Sequence, residues 1–167
     1  MSPGSLHALY VLSVTVHVLA AALWVGGMGF FALVVVPIVR RAMDPERASA
    51  VLREAGLRFN KVAWICLGVL AATGVCNLYC RGLLPAILTA EFWSTAFGRA
   101  LAVKLGVVAF VVAASAAHAV DARRPPVPAG AEVARARRRM TLLGRSILLF
   151  SVAVVALGVV LVRGAPF

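Results

Sequence analysis

From Leu6 to Val39 the chain carries no Asp, Glu, Lys or Arg. A hydrocarbon core of about 30 Å is crossed by roughly 20 helical residues, so this single run can span a bilayer with residues to spare. Three further apolar runs follow, over about 62–79, 100–120 and 146–162. Transmembrane β-strands alternate polar and apolar residues over about ten positions, and these runs do not. The fold class read from the sequence is therefore all-α: an integral membrane four-helix bundle of up-down topology. It forms a single transmembrane domain over 1–167, with helices over about 6–39, 62–79, 100–120 and 146–162.

Seventeen Lys+Arg against six Asp+Glu give a net charge of +11. In a soluble chain such an excess points to nucleic acid. Here 62% of residues are hydrophobic and 14% charged, against about 25% charged in soluble domains, and the basic residues sit between the apolar runs. A soluble nucleic-acid binder is excluded. The first connection holds Arg40, Arg41, Arg47, Arg53, Arg58 and Lys61; the third holds Arg123, Arg124, Arg135, Arg137, Arg138, Arg139 and Arg145. The second holds only Arg81 and Arg99. Basic loops stay on the cytoplasmic side, so both termini are expected outside and the two basic loops in the cytoplasm of a bacterial inner membrane.

The first run lacks a basic n-region and is about twice the usual signal-peptide length, so it is read as a retained helix. Pro37 has no N–H and is expected to bend or end that helix. Asp44-Pro45-Glu46 reads as an N-cap, a proline at the first helical position and an acid in the first turn. An amphipathic cytoplasmic helix over about 45–57 is expected there, with Ala48, Val51, Leu52 and Leu57 toward the membrane surface. The segment from Arg123 to Ala134 is expected to be irregular. Phe92 and Trp93 in the outer connection suit an interfacial anchor.

In the first helix His7, Tyr10, Val14, His17, Ala21, Trp24 and Met28 follow steps of three and four, the seam that faces a partner in a bundle. Ser13 and Thr15 flank it as small exceptions on an otherwise aliphatic lipid face. The second helix gives Cys66, Leu70, Thr73, Asn77 and Cys80, with Cys76 one turn before Cys80; the third gives Lys104, Val108, Val111, Ser115 and His118. Ionisable groups inside a membrane are costly and are functional candidates by default. His17, about 15 Å below the outer end at 1.5 Å per residue, is the strongest of them. His7 near the outer surface can simply be hydrated, Lys104 can snorkel to water, and His118 beside Asp121 can serve at the surface. Trp24, Met28 and Cys66 suit packing. Cys76 and Cys80 share a face and, as soft thiolates, suit Cu(I) or zinc. Gly26, Gly27, Gly144 and Gly158 are expected to allow close helix approach. No HExxH, P-loop, GxSxG, CxxCH or dinucleotide pattern is present, and no catalytic residue is assigned.

The run His17-Val-Leu-Ala-Ala-Ala-Leu-Trp24-Val-Gly26-Gly27, ending in Val-Pro37-Ile-Val-Arg40-Arg41, resembles the copper-resistance D (CopD) family of membrane proteins. So do Arg58-Phe59 ahead of Trp64 with Ala72-Thr73-Gly74, Phe97-Gly98-Arg99 with Lys104-Leu105, and the closing Val160-Leu161-Val162-Arg163-Gly164. A more distant likeness is to the HemJ-type protoporphyrinogen oxidases, which also place a Trp seven residues after a membrane His and a Lys-Leu at the start of a later helix. That likeness would make His17 and Lys104 essential, although the family's Lys three residues before its His is Val14 here.

The leading expectation is a CopD-like protein that binds copper and moves it across the bilayer. His7, Cys76 and Cys80 would receive the ion outside, His17 would carry it at mid-membrane, and Met28 and His118 would lie further in. Imidazole and soft sulfur suit copper. The partners expected are lipid, the copper ion or a copper-donating periplasmic protein, and for an oligomer a second copy of the chain. The rival is a haem b protein for electron transfer or porphyrin oxidation, with His17, Lys104 and His118 as cofactor-binding residues; as an enzyme it would be a haem-dependent oxidoreductase. A ligand-free accessory subunit is the third reading, with every membrane polar group acting as glue between helices.

Overall fold

The computed structural model describes residues 2–123 and 131–163; within them the side chains at 3, 118, 121–123, 131–137, 139–141 and 160–163 are outside the description. Its regular elements are helical throughout. They are α1 (Pro3–Phe30), which continues through a five-residue π-helical turn (Phe31–Val35) into α2 (Val36–Ala42), then α3 (Pro45–Cys80), a 3₁₀ turn (Ala86–Leu88), α4 (Ala90–Ser94), α5 (Ala96–Arg123) and α6 (Ala131–Arg163). Among the described residues four helical stretches are long and apolar enough to cross a membrane: Gly4–Ala42, Pro45–Cys80, Ala96–Ala117 and Leu142–Val159.

The helix ends are set by local chemistry. Ser2 caps α1, its hydroxyl accepting from the Ser5 N–H at 3.3 Å, with Pro3 at the first position. Asp44 caps α3 by accepting from the Arg47 N–H at 3.0 Å, as the Asp-Pro-Glu run predicts. At its other end α3 closes on Gly82, whose φ of +66° is the left-handed conformation open to glycine. The Gly82 N–H bonds to Tyr79 O at 2.9 Å and the Leu83 N–H to Leu78 O at 3.0 Å, the paired bonds of a Schellman ending. Thr89 and Thr95 cap α4 and α5 through their hydroxyls.

Pro37 does not end the first helix. The Val36 N–H bonds to Phe31 O, five residues back, so one extra residue is accommodated just before the proline. This wider turn takes up the missing N–H and ring clash that would break an ordinary turn. The amphipathic helix expected over 45–57 and the span expected from 62 form one helix, because no glycine or proline falls between them. Of the irregular segment expected over Arg123–Ala134, 124–130 lie outside the described residues, and α6 is already helical at Ala131.

Helix α1 packs chiefly on α3 and α5 chiefly on α6, with thinner seams between α1 and α6 and between α3 and α5. The four spans meet in a core of Trp24, Cys66, Val111, Ala114 and Ile147, onto which Val25, Met28, Leu67, Leu70 and Val107 pack. Outward positions such as Leu12, Leu19, Leu33, Ile65 and Leu149 are more than 60% exposed, which in lipid is the expected face of a spanning helix. Phe92 is buried, edge-on to Trp93 and Phe97, and the Arg81 guanidinium lies 5.1 Å from the Phe97 ring centre. Trp93 donates through Nε1 to Ile87 O at 3.0 Å. This aromatic knot ties the ends of α3 and α5 together.

The glycines divide. A Cβ at Gly27 would stand 2.5 Å from Cε2 of Phe59, whose ring stacks on Phe31 at a 6.4 Å centroid distance, so Gly27 does permit the α1–α3 approach. Gly26 and Gly144 have nothing within 4 Å of that position and do not serve close packing. Gly98 is the tightest: a Cβ there would overlap the Phe92 carbonyl, a backbone group that cannot turn aside. Gly98→Ala should therefore destabilise the detergent-solubilised protein by about 1–3 kcal/mol, read as a lowered thermal midpoint. Gly26→Ala should leave the midpoint unchanged or slightly raised, and equal midpoints for both variants would contradict the fixed α4–α5 corner.

Candidate functional site: a polar layer across the bundle

Thr73 joins α1 to α3 twice. The Ser13 hydroxyl donates to its carbonyl oxygen at 3.2 Å, and Nδ1 of His17, one turn further along α1, meets its Oγ1 at 2.8 Å. The Thr73 hydroxyl also approaches the carbonyls of Val69 at 2.6 Å and Leu70 at 3.3 Å within its own helix. Among the described residues these two are the side-chain hydrogen bonds that pass between spanning helices. Ser13 is 5% exposed. Its expected place on the lipid face is thus corrected: it faces α3, since a hydroxyl turned to hydrocarbon would lack a partner.

Lys104 completes the layer from α5. It is partly buried, and its Nζ lies 3.5 Å from the Cβ position of Gly158 on α6. Gly74 faces His17, with Cε1 of the ring 3.9 Å from its Cβ position. All four spans therefore contribute: His17, Thr73 with Gly74, Lys104, and Gly158. Seven residues away along each helix stand Trp24, Cys66, Val111 and Ser151, all buried. Two helical turns thus separate a polar layer from a packed one in every span. Ser151 satisfies its own hydroxyl by donating to Ile147 O at 2.6 Å.

The other predicted site residues are spread along the bundle axis. Cys76 and Cys80 are free, half-buried thiols one turn apart on α3. His7 is exposed near the start of α1. Met28 packs on the hydrophobic core, eleven residues from His17, or about 16 Å along a helix. His118 lies on α5, outside the described side chains. Among the described residues no group of three or more His, Cys, Asp or Glu comes together in a way that could hold a metal ion. Asn77, one turn from Thr73, has a buried Oδ1 without a hydrogen-bond partner among the described residues.

Sequence spacing brings out His17 and Lys104 but underrates Ser13, Thr73 and Asn77. The available signal is that Ser13 and His17, like Thr73 and Asn77, are polar residues four apart on apolar helices, a spacing that puts both on one face.

The family model for copper resistance protein D matches residues 53–162. The chain belongs to the copper-resistance D family. The match opens within α3 and closes at the end of α6, so it takes in Thr73, Cys76, Cys80, Lys104 and His118 and leaves out His7, His17 and Met28. It makes the chain a copper-resistance-related membrane protein, and nothing in it speaks for the haem alternative. No curated protein and no solved structure matches the chain.

The Ser13 bond gives the layer a measurable weight. Interhelical hydrogen bonds in membranes contribute about 0.6 kcal/mol on average and rarely beyond about 1.7 kcal/mol. Ser13→Ala should reduce unfolding stability in mixed micelles within that range, and a loss of several kcal/mol would mean that the seam carries more than this bond.

Proposed function

We propose that this CopD-family protein binds copper ions and passes them across the inner membrane. The observation that carries the reading is the family match, and the reading puts its mid-membrane step at the polar layer around His17. Cys76 and Cys80 at the end of α3, with His7, receive the ion; His17 takes it at mid-membrane; Met28 and His118 lie along the onward route. Imidazole and thiolate are ligands suited to copper. Separate, modest sites along a path let an ion leave as readily as it enters, in keeping with ligands distributed along the axis. The ion is delivered free or by a copper-donating periplasmic protein, and the chain acts alone or beside a second copy.

Copper bound by the purified protein tests the reading. His17→Ala should lose most bound Cu(I) while the protein still inserts, because alanine suits a helix, whereas His7→Ala should lose less, since water replaces its contacts near the surface. Replacing both Cys76 and Cys80 with serine removes the thiolates at nearly constant size, and Cu(I) binding should fall sharply. Equal copper content in wild type, His17→Ala and the double-cysteine variant would overturn the route and favour the ligand-free accessory reading.

The direction of the route rests on an up-down bundle with both termini outside. The basic connections at Arg40–Lys61 and Arg123–Arg145 support this, since basic loops remain cytoplasmic. A reporter fused after Phe167 should be active in the periplasm. Activity confined to the cytoplasm would invert the order of the sites.

A further inference from the structure

The hydrogen bonds at Thr73 decide which nitrogen of His17 is free. A threonine hydroxyl has a single proton to give. The Thr73 Oγ1 stands 2.6 Å from Val69 O and 3.3 Å from Leu70 O. Two oxygens 2.6 Å apart repel unless a proton lies between them, and a carbonyl has none to give, so the hydroxyl proton points to Val69 rather than to the ring. The 2.8 Å contact between Oγ1 and Nδ1 of His17 is then carried by a proton on Nδ1. A neutral imidazole with its proton on Nδ1 keeps its lone pair on Nε2. Thr73 is itself held in place, since Ser13 bonds its carbonyl oxygen from the same face of α1.

We propose that Thr73 is a positioning residue that fixes His17 as the Nδ1–H tautomer and presents Nε2 as the nitrogen that takes a Cu(I) ion. The ligand half of this proposal rests on the copper reading above; the tautomer half rests on the hydrogen bonds alone. Ligating histidines commonly donate their other ring N–H to a fixed acceptor, which orients the ring and raises its basicity. Here that acceptor is a hydroxyl whose own proton is committed to its helix. Valine at 73 matches threonine in shape but removes the acceptor, and serine restores it.

The test uses the full chain with ¹⁵N-labelled histidine in detergent micelles, free of metal and at about pH 8, above the ordinary histidine range. The His17 signals are assigned by difference with His17→Ala. Wild type and Thr73→Ser should show a protonated Nδ1 and a bare Nε2, and Thr73→Val should populate the opposite tautomer. Titration with Cu(I) should then find Thr73→Val weaker by about 10- to 100-fold, with Thr73→Ser near wild type. A wild-type His17 protonated on Nε2, or a tautomer unchanged in Thr73→Val, overturns the positioning role. The expected tautomers without Cu(I) binding by any variant support that role and overturn the copper reading.

Discussion

The structure depends on one threonine side chain being satisfied within its own helix. Because the Thr73 hydroxyl gives its proton to Val69, its oxygen is left as an acceptor facing α1, and because its carbonyl accepts from Ser13, the two helices share a fixed register. His17 therefore sits at a defined depth and rotation. In water such a hydroxyl would exchange freely with solvent; between apolar helices it has no competitor. The small energy of each bond, about 0.6 kcal/mol on average, means that the seam orients far more than it stabilises.

Stability must come from packing, since lipid tails solvate leucine as well as another helix does. The buried layer of Trp24, Cys66, Val111, Ala114 and Ile147 draws one or two side chains from each span, and Phe110 packs edge-on to Phe150 at 4.7 Å where α5 meets α6. Close approach is reserved for a few places, with Gly27 under the Phe59 ring and Gly98 under the Phe92 carbonyl. The polar layer lies two turns from the packed one and leaves it intact.

The spans were legible in the sequence because uncharged runs of bilayer length have few alternatives, and the Asp44 cap because its three-residue pattern has a direct mechanism. Seams at steps of three and four placed Trp24, Cys66 and Val111 correctly inward. What escaped was context. Pro37 reads as a bend or an end until an extra residue in the preceding turn carries the helix past it. Ser13 reads as a minor exception on a lipid face until its acceptor on another helix is known. Partners sixty residues apart leave no local mark, so hydrogen bonds between spans were the least legible part of the site.

The two basic side chains of the polar layer face a common difficulty. Like charges repel more strongly the closer they stand and the less polar the medium, so a cation at His17 is favoured where the lysine amine is turned elsewhere. The bundle answers by dividing them between helix pairs. His17 is bonded into the α1–α3 seam by Thr73, and Lys104 reaches into the α5–α6 seam, where its amine lies against Gly158. A methyl group at residue 158 would meet that amine at 3.5 Å, an ordinary contact, so only a larger side chain would crowd it. The threonine of α3 thus holds one basic group within its pair by a hydrogen bond, while the glycine of α6 borders the other.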